Sequence, residues 1–323
     1  MITTPDFAKK QIVFVMVNEG EKLAFSNDNL VVKNAGGKVK FQCTCYRIFM
    51  VFVVGNCSFT SVIIQKAKKF GFFIALMTEG FKLYALIGAE KDGNTLLKRK
   101  QYGYDGFEIA KHITKNKIAN QSYLLKSNRH KSESVKEAIT TIEGYRQSID
   151  IANKLSEIMA YEGLASKLYF HNHFNNILWL GRQPRLKRDA INSTLDIGYT
   201  LLFSFLDALL SSYGFDTYCG VMHRQYYMRK SLVCDFVEPF RPLIDAQIKK
   251  AINLKQFSEN DFTVINYQYR LKWSKSAEYV SILMGPIIEN KDRIFAYVQA
   301  YYRAFMKAAS IADYPQYNIG GDE

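Results

Sequence analysis

At 323 residues the chain exceeds the size at which one hydrophobic core normally suffices, roughly 250 to 300 residues, so two domains are expected. Its composition, 48% hydrophobic with 21 Tyr and 23 Phe, excludes intrinsic disorder and a coiled coil. Lys and Arg outnumber Asp and Glu by 43 to 30, and the formal charge of +13 favours polyanionic partners, nucleic acid or an anionic membrane surface.

The longest apolar run, IFMVFVV at Ile48–Val54, is far shorter than the roughly 20 residues of a spanning helix, and no secretory leader precedes Lys9. A cytoplasmic protein with no membrane partner is the expectation. Cys43, Cys45, Cys57, Cys219 and Cys234 form an odd set without a CxxC pair, as expected of reduced thiols. Cys43 and Cys45 make at most half a zinc site, because no second ligand pair has finger-like spacing.

In chain order, residues 11–90 read as short β-branched and aromatic runs separated by Gly, Asn and Asp. Among them, TSVIIQKAKKFG reads as a helix, with Ile63, Ile64 and Ala67 at helical spacing and Gly71 as its cap. KRKQYGYDG reads as a linker over 98–105, after which the apolar period becomes helical. Ser134 and Glu137 form a capping-box pattern opening a long helix from Val135 to about Phe170. Further helices are expected at about 189–212, 235–252 and 276–312, and 315–323 reads as a loose tail. The predicted fold is therefore α+β in two domains: a small β-sandwich-like domain over 1–97 and a larger all-α domain over 106–314.

Within YEGLASKLYFHNHF, Glu162 shares a helical stripe with Leu155, Ile158, Ala165 and Tyr169. A carboxylate on a core-directed stripe requires a cation, a metal or a hydrogen-bond network opposite it, and small Gly163 and Ala165 leave room for one. The bland alternative is a buried salt bridge to Arg or Lys. His171 falls on the other side of the helix from Glu162, so the His-Asn-His string reads as a helix end rather than a nuclease motif.

A second cluster spans GFDTYCGVMHRQYYMRKSLVCDFVEPFRP. Asp235, Glu238 and Arg241 share one helical row, and His223 precedes Asp235 by 12 residues, within reach of a compact turn. Acids in a first helical turn also simply favour the helix dipole, and a lone His is more often structural than ligating. One imidazole and carboxylate oxygens suit Mn²⁺ or Mg²⁺ better than Zn²⁺.

In order and spacing, the Glu-Gly of YEGLASKLYF, then RLKRDAINSTLDIGYTLL, GFDTYCGVMH and SLVCDFVEPFRPL resemble the CRISPR adaptation integrase, the metal-dependent endonuclease of spacer acquisition. The N-terminal strand-helix-strand pattern resembles the same family, nearest to single-effector, type V-like relatives. The resemblance implies that Glu162, His223 and Glu238 hold Mg²⁺ or Mn²⁺, that the catalytic domain carries this site, and that Asp235 is an accessory acid. Many family members have Asp where this chain has Glu238. Asp189 and Asn192 match supporting residues, and Cys234 replaces a more usual aliphatic. The implied reaction joins the 3′-hydroxyl of a double-stranded prespacer DNA to a CRISPR repeat boundary. The family acts as a homodimer, often with a smaller CRISPR adaptation partner protein.

Several basic residues are candidates for DNA phosphates: Arg182, Arg185, Lys187 and Arg188 in one loop, Arg224, Arg229 and Lys230 beside His223, and Arg241, for which a salt bridge is the alternative. Lys98–Lys131 holds nine Lys or Arg against two acids, with Tyr102, Tyr104 and Tyr123 interleaved, suited either to DNA contact or to a solvated face. Two other functions compete. One is a nuclease of branched or repair DNA, which would cut without joining; the other is a non-catalytic basic scaffold, which would tolerate Glu162→Ala.

Overall fold

The computed structural model describes residues 3–175, 179, 181–223 and 226–321. A short helix α1 (Thr4–Ala8) leads to strands β1 (Gln11–Met16), β2 (Lys22–Ser26), β3 (Asn29–Lys33), β4 (Val39–Thr44) and β5 (Ile48–Val54). Helix α2 (Val62–Phe70) separates β5 from β6 (Phe73–Met77), and β7 (Leu83–Ile87) follows. Next come α3 (Thr95–Tyr102), α4 (Phe107–Lys126), α5 (Glu133–Ser148), α6 (Leu155–His173) and α7 (Ala190–Tyr213). The chain continues through α8 (Ser231–Val237), α9 (Arg241–Asn253), the hairpin β8 (Phe262–Ile265) and β9 (Gln268–Leu271), and the helices α10 (Trp273–Glu289) and α11 (Lys291–Lys307).

The strands of the N-terminal region form two sheets. One has the order β1-β5-β6-β7, with β1–β5 and β5–β6 parallel and β6–β7 antiparallel; the other is the antiparallel meander β2-β3-β4. Parallel neighbours need a crossover, which α2 supplies between β5 and β6. Gly71 caps α2 in the left-handed region at φ 73°, where a side chain is disfavoured.

Strand β5 is covered on both faces, which is why its seven residues are all apolar instead of alternating. Val51 and Val53 pack with Leu30 and Val32 of the meander and with Ile63 and Ala67 of α2. On the opposite face, Phe49, Phe52 and Phe73 continue into the core of the helical region. There Phe49 meets Phe205 of α7 at 5.9 Å, and Phe7 stacks on Phe295 of α11 at 4.1 Å.

Sheets at the N-terminal end and helices beyond them match the expected α+β class, with α2 and the parallel pairs making the first region more than a β-sandwich. The second region is not all-α, because β8 and β9 form an antiparallel hairpin. The stretch read as a linker is largely helical: Asn94 caps α3 through its side chain, accepting from the Leu97 N–H at 3.4 Å. The long helix predicted from Val135 is two helices. Ser132 rather than Ser134 caps α5, and Lys154, extended at φ −140° and ψ 145°, interrupts the chain before α6. The helix expected over 235–252 breaks at Pro239, which lacks the N–H that an uninterrupted ladder would use, and the one over 276–312 breaks at Asn290. The supposed loose tail is anchored through Tyr317, which is buried and whose carbonyl accepts from Asn116 Nδ2 and Asn120 Nδ2, each at 2.8 Å.

By length and composition α7 could cross a membrane, which no single apolar run had signalled; 83% of its most apolar window is buried inside the fold. It is the central helix of the core, and its interior position explains its low polarity better than a bilayer would.

Candidate active site

Three chain segments meet at one point. Helix α6 brings Glu162, flanked by the fully buried Ile158, Ala165 and Tyr169. The 3₁₀ turn after α8 brings Glu238, whose side chain is only 5% exposed. From α4 comes Lys117, whose ammonium contacts Glu162 Oε1 and lies 2.5 Å from Glu238 Oε2. The stripe argument for Glu162 therefore finds its cation.

Other polar groups fix the two acids. Ser166 Oγ donates to Glu162 Oε1 at 2.8 Å and itself accepts from Gln121 Nε2 at 3.2 Å, bracing α6 against α4. Arg241 Nε donates to Glu238 Oε1 at 3.0 Å, and its guanidinium lies 4.4 Å from the centre of the Tyr199 ring. Burial disfavours the charged form of Glu238, but Arg241, Lys117 and His223 together outweigh it and bring its carboxyl down to about 2. Burial opposes the charge of Lys117 as well, yet Glu162 and Glu238 raise its pKa. Glu238 and Lys117 are therefore both charged at neutral pH.

His223 is positioned by Asp235. The Asp235 carboxylate, completely buried, accepts from the backbone N–H groups of Val221 at 2.6 Å, Met222 at 3.1 Å and His223 at 2.9 Å. Its Oδ1 also lies 2.6 Å from His223 Nδ1. A carboxylate there places the imidazole proton on Nδ1 and leaves the Nε2 lone pair for a ligand. Gly220 permits this close wrapping, since a Cβ would come within 2.8 Å of Asp235 Oδ2 and 2.7 Å of Ser231 Cβ. Asp235 thus acts on the histidine and its loop, whereas Glu238, three residues later, faces Glu162 across Lys117.

The donors match a hard divalent ion in kind: two carboxylates, of which the buried Glu238 Oε2 faces the Lys117 ammonium, and one imidazole held at Nδ1 by a carboxylate. Among the described residues no three His, Cys, Asp or Glu side chains already converge closely enough to hold a metal. The ammonium of Lys117 stands between the two glutamates. Sequence reasoning missed this lysine, although Ile113, Lys117, Asn120 and Leu124 trace a buried stripe on α4 with the same spacing that singled out Glu162.

The basic candidates separate by environment. Arg185 and Arg188 are exposed, and Lys187 and Arg229 are half-buried. Arg182 instead binds within the chain, to Asp196 Oδ1 at 2.6 Å and Asn192 Oδ1 at 2.9 Å. Asn192 also binds Asp189, the Gly181 carbonyl and the Gln183 N–H, so this pair ties the basic loop to the start of α7. Lys230 neutralises the fully buried Asp207 at 2.6 Å. Arg224 lies outside the described residues. Of the interleaved tyrosines, Tyr102 donates to Asp216 Oδ2 at 2.7 Å, and Tyr104 packs edge-on against Phe305. The five cysteines are free thiols, and burial raises the pKa of Cys234.

The His-Asn-His string is dispersed by the end of α6, with His171 exposed and His173 buried against Tyr169 at 5.0 Å. Neither histidine belongs to the site.

Comparison with known proteins matches the model of the CRISPR-associated protein Cas1 family over residues 14–283. The chain belongs to the Cas1 family. A curated relative, a CRISPR-associated endonuclease Cas1 of Thermodesulfovibrio yellowstonii, is 29% identical over 231 residues, covering 66% of this chain and 71% of that protein. Among solved structures, a chain of a Cas6-RT-Cas1–Cas2 complex aligns with 96% of this chain at a TM-score of 0.82 and 19% identity, and the alignment spans 36% of that longer chain. A casposase bound to its integration product aligns with 97% of this chain and 96% of its own at a TM-score of 0.76 and 18% identity. The Cas1 fold thus extends over nearly all of the chain, and the family read from the ordered motifs is the family found.

Proposed function

We propose that this Cas1-family protein integrates prespacer DNA into a CRISPR array, with Glu162, His223 and Glu238 holding a Mg²⁺ or Mn²⁺ ion. The observation that carries this reading is the meeting of Glu162 and Glu238 at one cationic position, beside a histidine oriented by a buried carboxylate. When bound, the ion supplies Lewis-acid polarisation of the phosphodiester and a more acidic attacking 3′-hydroxyl.

The protein's own groups prepare that reaction. Asp235 holds the His223 ring at Nδ1 so that Nε2 is the nitrogen left for a ligand, Ser166 fixes Glu162, and Arg241 keeps Glu238 ionised inside the protein. No side chain needs to form a covalent intermediate, because the incoming 3′-hydroxyl is the nucleophile. The exposed Arg185 and Arg188, with Lys187 and Arg229, suit contacts to the phosphates of prespacer and repeat without reading their sequence. Arg182 and Lys230 support the fold beneath that surface.

A homodimer joined by a smaller adaptation partner, in a prokaryotic cytoplasm, is the assembly this reading implies. Association of a Cas1-like chain with a Cas2 protein in the aligned complex supports it. The type V-like assignment rests on the N-terminal motif alone.

The test supplies a labelled 3′-hydroxyl duplex, a supercoiled plasmid bearing a CRISPR repeat, and Mn²⁺ or Mg²⁺. Native protein should join duplex to plasmid, and Glu162→Ala and His223→Ala should bind DNA without joining it. Cutting without joining would support the repair-nuclease reading instead. Undiminished joining by both variants would remove the site assignment, and would favour the scaffold if the activity proved to come from another protein.

A further inference from the structure

Lys117 is oddly placed for a metalloenzyme. Its side chain is 8% exposed, and its ammonium touches one oxygen of each glutamate assigned to the metal. The four nearest formal charges already balance: Glu162 and Glu238 against Lys117 and Arg241. A divalent ion added to this set would leave two excess positive charges in a site largely closed to water, and would draw on the same oxygens that the ammonium contacts.

We propose that Lys117 is the resident cation of the metal-free centre and that the divalent ion must displace it. This inference rests on the metal-site reading above. Without a cation, two carboxylates held this close would repel each other, and the ammonium keeps them together until the ion arrives. Lysine suits the task because its charge sits at the end of a flexible stem, which can swing away without moving the helix. The helix itself is held: Asn116 and Asn120, on either side along α4, both bind the Tyr317 carbonyl. Displaced from the carboxylates, the ammonium becomes a free positive charge at the edge of the centre, where a DNA phosphate can take it. Lys117 is thus a positioning residue that sets metal affinity, and metal and lysine are alternative partners of the same acids.

The test is calorimetric titration of Mn²⁺ into native protein, Lys117→Met and Glu162→Ala, with melting curves of each in EDTA and in Mn²⁺. A purely structural lysine would, on removal, loosen the site and weaken metal binding. The exchange proposed here predicts the opposite sign. Lys117→Met should bind Mn²⁺ about tenfold or more tightly than native, melt lower in EDTA, and gain more from Mn²⁺. Equal or weaker Mn²⁺ binding by Lys117→Met, with native protein still binding, overturns the inference and leaves the metal site intact. If native protein binds no Mn²⁺ and Glu162→Ala is indistinguishable from it, the metal-site reading falls and this inference with it. Should Lys117→Met fail to fold, a crystal structure of native protein soaked in Mn²⁺ decides. An ammonium withdrawn from both glutamates supports exchange, and one still bridging them beside the ion refutes it.

Discussion

His173 and His223 are both withdrawn from solvent, yet they meet opposite surroundings. His173, 3% exposed, stacks on Tyr169 and meets Phe174 edge-on, with no carboxylate side chain at its ring among the described residues. Burial, with the charge of Lys249 adding to it, drops its pKa to about 3, so it behaves as an aromatic ring. His223 has one nitrogen held 2.6 Å from a buried carboxylate and the other left to act. An imidazole becomes a ligand through its second partner, and the residue type alone says little.

The strongest way to break this comparison is to exchange the consequences. His223→Ala should lower strand transfer at least about a hundredfold, whereas His173→Phe should stay within about twofold of native. A large loss from His173→Phe would show that packing at the end of α6 matters more to the centre than the carboxylate does.

Asp235→Asn sharpens it at the next level. The amide keeps the size of the carboxylate but presents one oxygen where three backbone N–H groups and Nδ1 require an acceptor. Mn²⁺ affinity should fall about 10- to 100-fold, with a loss of about 2 kcal/mol in urea unfolding. Unchanged Mn²⁺ affinity would mean that the loop, rather than the tautomer, is what Asp235 serves.

The smallest effect concerns pH. With the folded pKa of His173 at about 3 against an ordinary 6.5, the unfolded chain gains a proton below pH 6.5 while the folded chain does not. The stability tied to the neutral ring is present above that pH and is lost as pH falls towards 3. At pH 5 the native protein should therefore be penalised by about 2 kcal/mol that His173→Phe escapes. Parallel unfolding curves of native protein and His173→Phe at pH 8 and pH 5 check this.

Much of the fold could be read from the chain because burial leaves a periodic trace. The continuous apolar β5, the α2 stripe ending at Gly71, and Glu162 among core positions all announce their surroundings. What escaped was information carried by distant partners. No Gly or Pro marks the break between α5 and α6; the Asn153 N–H is instead met by Glu157 Oε2 at 2.8 Å, a contact that only the folded turn reveals. Arg182 and Lys230 look like DNA contacts in the sequence, yet Asp196 and Asp207 lie opposite them in space. Lys117 was legible by the criterion applied to Glu162, and was obscured by the eight other Lys and Arg residues of the stretch 98–131.

The anchorage of Tyr317 also has a temporal side. Asn116 and Asn120 find their carbonyl partner about two hundred residues later in the chain, with separations of 201 and 197. As the ribosome proceeds, Asn120 can first reach the Pro239 carbonyl at 2.9 Å, whereas the buried Asn116 amide depends on water until Tyr317 has been made. The helix bearing Lys117 therefore completes its polar contacts only once the segment around Tyr317 has been made.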